Sequence, residues 1–229
     1  MTGRAVLFAT LLAGLMLPTA SAGAPVVPEP LAWDPESPPL TSSCRFGSSQ
    51  LFAGSLALGR PMRGALRGGL RFPASTDYAF TWDFPLGRSP SRYWRRFGTE
   101  KLVLTVQCVL ARSDGLHPFG QRIGVADLSR PAGGPFGARY GGLGHASHQN
   151  GLDVDILYPR RDHCECEPTR VSQIDVPRSQ ELVEAFVAAG AQYVFVSPVL
   201  WRRGLLRGPR KVVQPLVHHD DHIHVRLRP

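Results

Sequence analysis

Beyond its first two dozen residues, this chain of 229 residues has no apolar run long enough to cross a bilayer. It has no internal repeat. No H-E-x-x-H helix occurs, which excludes the commonest zinc-protease motif. No G-x-S-x-G elbow occurs either, and Ser147 beside His148 is no substitute, because the partners of a serine nucleophile come from distant segments. Neither a G-x-G-x-x-G nor a Walker loop stands before a helix; the glycines of PAGGPFGARYGGLG lead into a histidine loop instead. The arginines are scattered and no nucleic-acid module is recognisable, which argues against nucleic acid as a partner.

Cysteine is scarce, with only Cys44, Cys108, Cys164 and Cys166. One C-x-C lacks the spacing of a cysteine-ligated zinc site. The opening MTGRAVLFATLLAGLMLPTASAGA has a single basic residue, Arg4, an apolar run from Ala5 to Leu17, and small residues Ala20, Ser21 and Ala22. That pattern predicts a secretory signal, residues 1–22, cut after Ala22. A membrane anchor is the competing reading, and the run falls short of the ~20 apolar residues a span requires. In an exported chain oxidation is allowed and two disulfides are expected. Three connectivities are open, and a direct Cys164–Cys166 bond would close a very small, strained ring.

The formal charge is +8, and loss of Arg4 with the signal leaves 8 − 1 = +7. A basic surface favours an anionic partner. For an exported protein an anionic cell wall fits better than nucleic acid, and the expected location is the periplasm, the cell envelope or outside the cell. No stable membrane span is expected once the signal is gone.

Residues 23–50, with Pro25, Pro28, Pro30, Pro35, Pro38 and Pro39, read as an extended arm, and residues 51–229 as one folded domain. Helices are predicted over Leu102, Val103, Val106, Val109 and Leu110 after a Thr99 cap, and over Leu182, Val183, Phe186 and Val187 after Ser179, closed by Gly190. Strands are predicted at Arg122–Ala126, Leu152–Tyr158, Tyr193–Val196 and His222–Leu227. The intervening LSRPAGGPFGARYGGLG is too irregular for either and suits a loop wrapped around a site. Helices mixed with short strands, without regular alternation, argue for an α+β fold.

Six of the eight histidines fall in two clusters, GHASHQNGLDVDIL and LVHHDDHIHVRL, each running into a strand-like segment. Strand alternation puts His222, His224 and Arg226 on one face and Ile223, Val225 and Leu227 on the other. It likewise puts Asp153 and Asp155 together, away from Leu152, Val154 and Ile156. His148, Asp155 seven residues on, and one distant histidine would supply two neutral nitrogens and a carboxylate oxygen, which is what a catalytic zinc needs beside an open position. Alone, HHDDHIH could equally be a metal-scavenging surface run, and either aspartate a hydrogen-bonding residue at a strand end. His117 and His163 read as solvated loop residues.

SHQNGLDVD together with the HxH of DDHIHVRL resembles the lysostaphin, D-Ala-D-Ala metallopeptidase and hedgehog superfamily, and most closely the penicillin-insensitive murein endopeptidases. GVADLSRPAGGPF, GHASHQNGLDVDI and HDDHIHVR follow that pattern almost continuously, and SRYW around Tyr93 resembles its upstream segment. The resemblance is clear over residues 85–229 and weaker from Leu51. It implies a central antiparallel sheet holding zinc, flanked by helices and long loops. It implies zinc ligands His148, Asp155 and His224, and His222 as the catalytic histidine, using a zinc-bound water. His145 and His219 match further site histidines that bind substrate, stabilise the transition state or help hold metal. The implied activity is hydrolysis of D-alanyl–diaminopimelyl cross-links between the peptide stems of peptidoglycan. A D-Ala-D-Ala carboxypeptidase and a non-catalytic zinc-stabilised wall-binding module are the rival expectations. The family's usual cysteine set is not matched.

Overall fold

The computed structural model describes Cys44, residues 54–137 and residues 145–229. The expected signal, the rest of the arm and residues 138–144 of the glycine-rich loop lie outside the described residues. The elements are β1 (Leu56–Arg60), β2 (Arg63–Arg67), β3 (Leu70–Arg71), β4 (Ala79–Thr81), β5 (Phe97–Gly98), α1 (Glu100–Leu116), β6 (Ile123–Val125), β7 (Asp153–Leu157), α2 (Val176–Ala188), β8 (Ala191–Val196), α3 (Pro198–Arg202), β9 (Val213–Pro215) and β10 (His222–Leu227).

The main sheet has six strands in the order β4-β6-β7-β10-β8-β9. Its inner pairs are antiparallel, as expected. Both outer pairs, β4 with β6 and β8 with β9, are parallel, which the sequence reading did not anticipate. β1 and β2 form a hairpin, and β3 pairs with β5.

α1 forms where its periodicity predicts. Thr99 caps it by accepting a hydrogen bond from the Leu102 amide at 3.2 Å, and Leu102, Val103, Val106, Val109 and Leu110 are its buried stripe. α2 begins earlier than expected, because its cap is Asp175, not Ser179. The Asp175 carboxylate accepts from the Arg178 amide at 3.2 Å, and Pro177 sits in the first turn. Ser179 lies inside the helix and donates its hydroxyl to the Asp175 carbonyl at 2.6 Å. Gly190, at φ 90°, follows the helix end.

The apolar face of the sheet, with Val154, Ile156, Val194, Val196, Ile223 and Val225, joins one buried cluster with α1 and with Leu182, Val183 and Phe186 of α2. Both helices therefore cover one face and leave the other to the site. Gly133 (φ 70°) holds the loop after β6 in place. A Cβ there would lie 2.2 Å from the Gln149 carbonyl oxygen and 2.5 Å from the Leu66 amide nitrogen, so only glycine lets the loop pass between β2 and the histidine segment.

Cys44 pairs with Cys108 of α1, and Cys164 pairs with Cys166. The small ring expected to disfavour the second bond does form. Its Cα atoms are 5.3 Å apart, within the ordinary range, because one intervening residue in a turn is enough to bring them together. His117 is also not merely solvated: its Nε2 meets Glu181 at 2.5 Å.

Candidate metal site

The floor of the site is built by alternation. In the β7–β10 register, His224 stands opposite Asp155 and Arg226 opposite Asp153, so two cross-strand pairs bring imidazole, guanidinium and two carboxylates onto one floor. His148 reaches that floor from the preceding loop in a left-handed conformation, φ 65°. Two contacts fix it there: its amide donates to Asp153 Oδ2 at 3.1 Å, and its Nδ1 donates to the Leu128 carbonyl at 2.7 Å.

These contacts also decide where the protons are. A carbonyl or ionised carboxylate only accepts, so the proton on each neutral ring lies on the nitrogen facing it. His148 is protonated on Nδ1, which leaves Nε2 bare. His224 donates Nε2–H to Asp153 Oδ1 at 3.0 Å, which leaves Nδ1 bare. The bare His148 Nε2 is 3.2 Å from the bare His224 Nδ1, and they are 3.3 and 3.0 Å from Asp155 Oδ1. Asp155 is fully buried, yet neither carboxylate oxygen has a hydrogen bond of acceptable geometry among the described residues. Burial alone would raise its pKa, but the positive charge that His148 and His222 carry when protonated holds it well below the usual carboxylate range. When the rings are neutral, the same buried anion faces bare lone pairs, and another cation is needed among them.

Three more histidines surround this centre with one nitrogen tied back and the other bare. His222 donates Nδ1–H to Asp221 at 2.6 Å and turns Nε2 to within 3.5 Å of Asp155 Oδ1. Burial lowers its pKa, and Asp155 and Asp221 outweigh that and raise it. His219 donates Nδ1–H to the Val217 carbonyl at 2.7 Å; burial and the neighbouring His222 push its pKa down to about 4. His145 donates Nε2–H to Asp127 at 2.7 Å, and its Nδ1 lies 3.9 Å from Asp155 Oδ2. Asp127 is buried, and Arg95, also buried, grips it with two hydrogen bonds.

Two donor sets therefore share Asp155. His145 and His148 offer nitrogens within 4.8 Å of each other and of the carboxylate. His148 and His224 make the tighter set, with every separation at 3.3 Å or less. The centre opens into a cleft of about 790 Å³ walled by Met62, Phe84, Phe195, Leu216 and Val217. Phe136 packs edge-on against His145 and His148, with ring centroids 5.3 and 6.4 Å away.

The six residues singled out from the sequence come together here: His145, His148, His219, His222 and His224 line the cleft, and Asp155 lies buried beneath them. Sequence reasoning missed the groups that orient them, namely Asp127, Arg95 and the Leu128 carbonyl. Asp221 also went unassigned, although it sits next to His222 and is the acidic residue nearest in sequence to a proposed proton carrier.

The fold and its donors define a class, an α+β protein with a candidate mononuclear metal centre on the open face of its sheet. The chain belongs to the penicillin-insensitive murein endopeptidase family, whose pattern matches residues 57–204. It is similar to a penicillin-insensitive murein endopeptidase of Salmonella heidelberg (strain SL476), 29% identical over 202 residues that cover 75% of this chain and 66% of the relative. A Citrobacter koseri protein of the same name is 31% identical over 156 residues, 58% of this chain and 54% of the relative. The chain thus spans just under two thirds of the one relative and about half of the other.

Proposed function

We propose that the chain is a zinc-dependent endopeptidase, a hydrolase that cuts D-alanyl–diaminopimelyl cross-links between the peptide stems of peptidoglycan. One observation carries this reading: the bare nitrogens of His148 and His224 converge with the unbonded oxygens of Asp155 at a spacing that suits one ion. Donors held ~2.0–2.1 Å from a tetrahedral zinc stand roughly 3.3 Å apart, and the separations here are 3.0, 3.2 and 3.3 Å. Two neutral imidazoles and a carboxylate are also the donor types that zinc takes in catalytic sites. His148, Asp155 and His224 are assigned as its ligands, with His145 a further ligand or substrate contact. When bound, zinc supplies a Lewis acid that polarises an amide carbonyl and lowers the pKa of water.

The chain's own groups handle the protons. Asp221 holds the Nδ1–H of His222, so Nε2 takes a proton from the attacking water and then passes it to the leaving amine. His219, kept neutral and tied at Nδ1, accepts at Nε2 and suits contact with a substrate N–H. His145, backed by Asp127 at Nε2, turns Nδ1 toward Asp155 and suits contact with metal or substrate there. The name of the relatives, the basic charge and the expected export support peptidoglycan as substrate and the cell envelope as the place of action. No helix among the described residues is long and apolar enough to cross a membrane. Residues 51–229 are proposed as the peptidase domain.

The test is digestion of purified sacculi by zinc-loaded protein, with mass analysis of the muropeptides. Cross-linked dimers should become monomers even with penicillin present, since the chemistry needs no serine to acylate. A chelator should stop the conversion and added zinc restore it. Persistent dimers with release of terminal D-Ala would instead identify a carboxypeptidase. Neither product would favour a non-catalytic wall-binding module.

A further inference from the structure

The floor of the cleft continues one register step past the donor centre to Arg226. Its Nε donates to buried Asp153 Oδ1 at 2.6 Å, which uses one of the five N–H donors of a guanidinium. Its two terminal nitrogens have no hydrogen-bond partner among the described residues. The side chain is 12% exposed and the residue lines the cleft. An arginine pinned at Nε with its outer edge free is preorganised for a second carboxylate, because the fork matches carboxylate geometry and little rotamer freedom remains to be lost.

The order of groups along β10 says which part of a substrate that carboxylate belongs to. His222, His224 and Arg226 follow one another on one face, with successive side chains about 6.6 Å apart by strand geometry. His222, the proton donor to the leaving amine, lies on one side of the donor centre, together with Asp221. Arg226 lies on the other side. A peptide whose leaving nitrogen faces His222 therefore sends its acyl portion toward Arg226.

We propose that Arg226 is a carboxylate-binding residue that reads the free carboxylate on the side chain of the diaminopimelyl residue preceding D-alanine, on the acyl side of the cut bond. The assignment rests on the peptidase reading above for the direction of the substrate. It makes the cleft selective for diaminopimelyl stems over stems in which that carboxylate is amidated or replaced by the bare side chain of lysine.

Two measurements test it in the full, zinc-loaded chain. In hydrolysis of cross-linked dimers, kcat/KM should be about 10- to 100-fold higher for the free-acid acyl stem than for its amide, the usual worth of a charged hydrogen bond, and most of the difference should lie in KM. Arg226→Gln should erase the preference, and Arg226→Lys, which keeps a cation beside Asp153 but loses the fork, should fall between. Zinc content is measured in each variant, because Asp153 also holds His224. A variant that loses zinc is judged by the second measurement.

That second measurement is calorimetric binding of the acyl-side product, a stem tetrapeptide with the diaminopimelyl carboxylate free or amidated, which needs no turnover. Tighter binding of the acid form, dependent on Arg226, supports the site. Equal affinity of the wild type for acid and amide overturns it. Selective binding without cleavage of any dimer would overturn the peptidase reading and keep the carboxylate site.

Discussion

Val154, Ile156, Ile223 and Val225 face the helices, whereas their immediate neighbours in sequence lie on the other side: His222, His224 and Arg226 line the cleft, and Asp153 and Asp155 are buried beneath them. On the helix side each buried branched residue contributes about 1.5–3 kcal/mol by leaving water. On the cleft side, burial works against the fold, because a buried polar group costs free energy wherever its bonding is incomplete, as it is at Asp155. One strand pair therefore divides its work by a period of two: alternate residues hold the molecule together while those between them are held in place by it. Changes on the two faces should fail in different ways.

The largest effect is expected at the donors. Asp155→Asn, His148→Ala and His224→Ala should each lower activity by roughly 10³-fold or more, since loss of the Lewis acid removes several kcal/mol of transition-state stabilisation. Zinc content should fall in parallel. Tight stoichiometric zinc in all three variants would break the assignment. His222→Ala should reduce turnover about 10²- to 10⁴-fold, the range for a positioned acid or base, and retain zinc. Loss of zinc from this variant would turn His222 into a ligand.

The opposite face should give the opposite pattern. Phe186→Ala in α2, fully buried in wild type, should cost about 3–5 kcal/mol in chemical denaturation, while kcat per folded molecule is unchanged. A large drop in kcat would mean that the two faces are coupled through the sheet.

The smallest effect is in pH dependence and comes from the site face. Burial lowers the pKa of His224, but Asp153 and Asp155 outweigh burial and raise it above its ordinary value. A raised histidine stabilises the metal-free fold fully below about 6.5, its unfolded value, and that stabilisation is lost as pH rises through the raised value. Zinc needs the deprotonated ring, so stabilisation by zinc should grow over the same window. Thermal midpoints with and without zinc should diverge as pH rises above 6.5, and parallel curves would show that His224 does not change protonation on metal binding.

The site was legible in the sequence where its logic is local. Alternation in LDVDILY and HIHVRL is a property of neighbouring residues, and it identified the correct faces of β7 and β10. Asp127 and Arg95, 32 residues apart, have no such signature: their pairing exists only once β6 and the segment after β4 have packed. The cap of α2 was ambiguous because aspartate and serine both cap helices, and Pro177 two residues after Asp175 was the signal that could have separated them. The outer strands β4 and β9 are three residues each, too short for any period to emerge, and the parallel edges depend on them.

The left-handed backbone at His148 has a consequence for anyone who would move this centre elsewhere. At φ 65° a residue with a Cβ costs on the order of 1 kcal/mol or more, and glycine or asparagine would be the choice of the fold alone. Grafting a histidine and an aspartate seven residues apart onto a regular strand of another scaffold would therefore reproduce the spelling and miss the angle of presentation. A working transplant must carry the kink as well, together with the Asp153 carboxylate that accepts the His148 amide and the Leu128 carbonyl that sets the tilt of its ring.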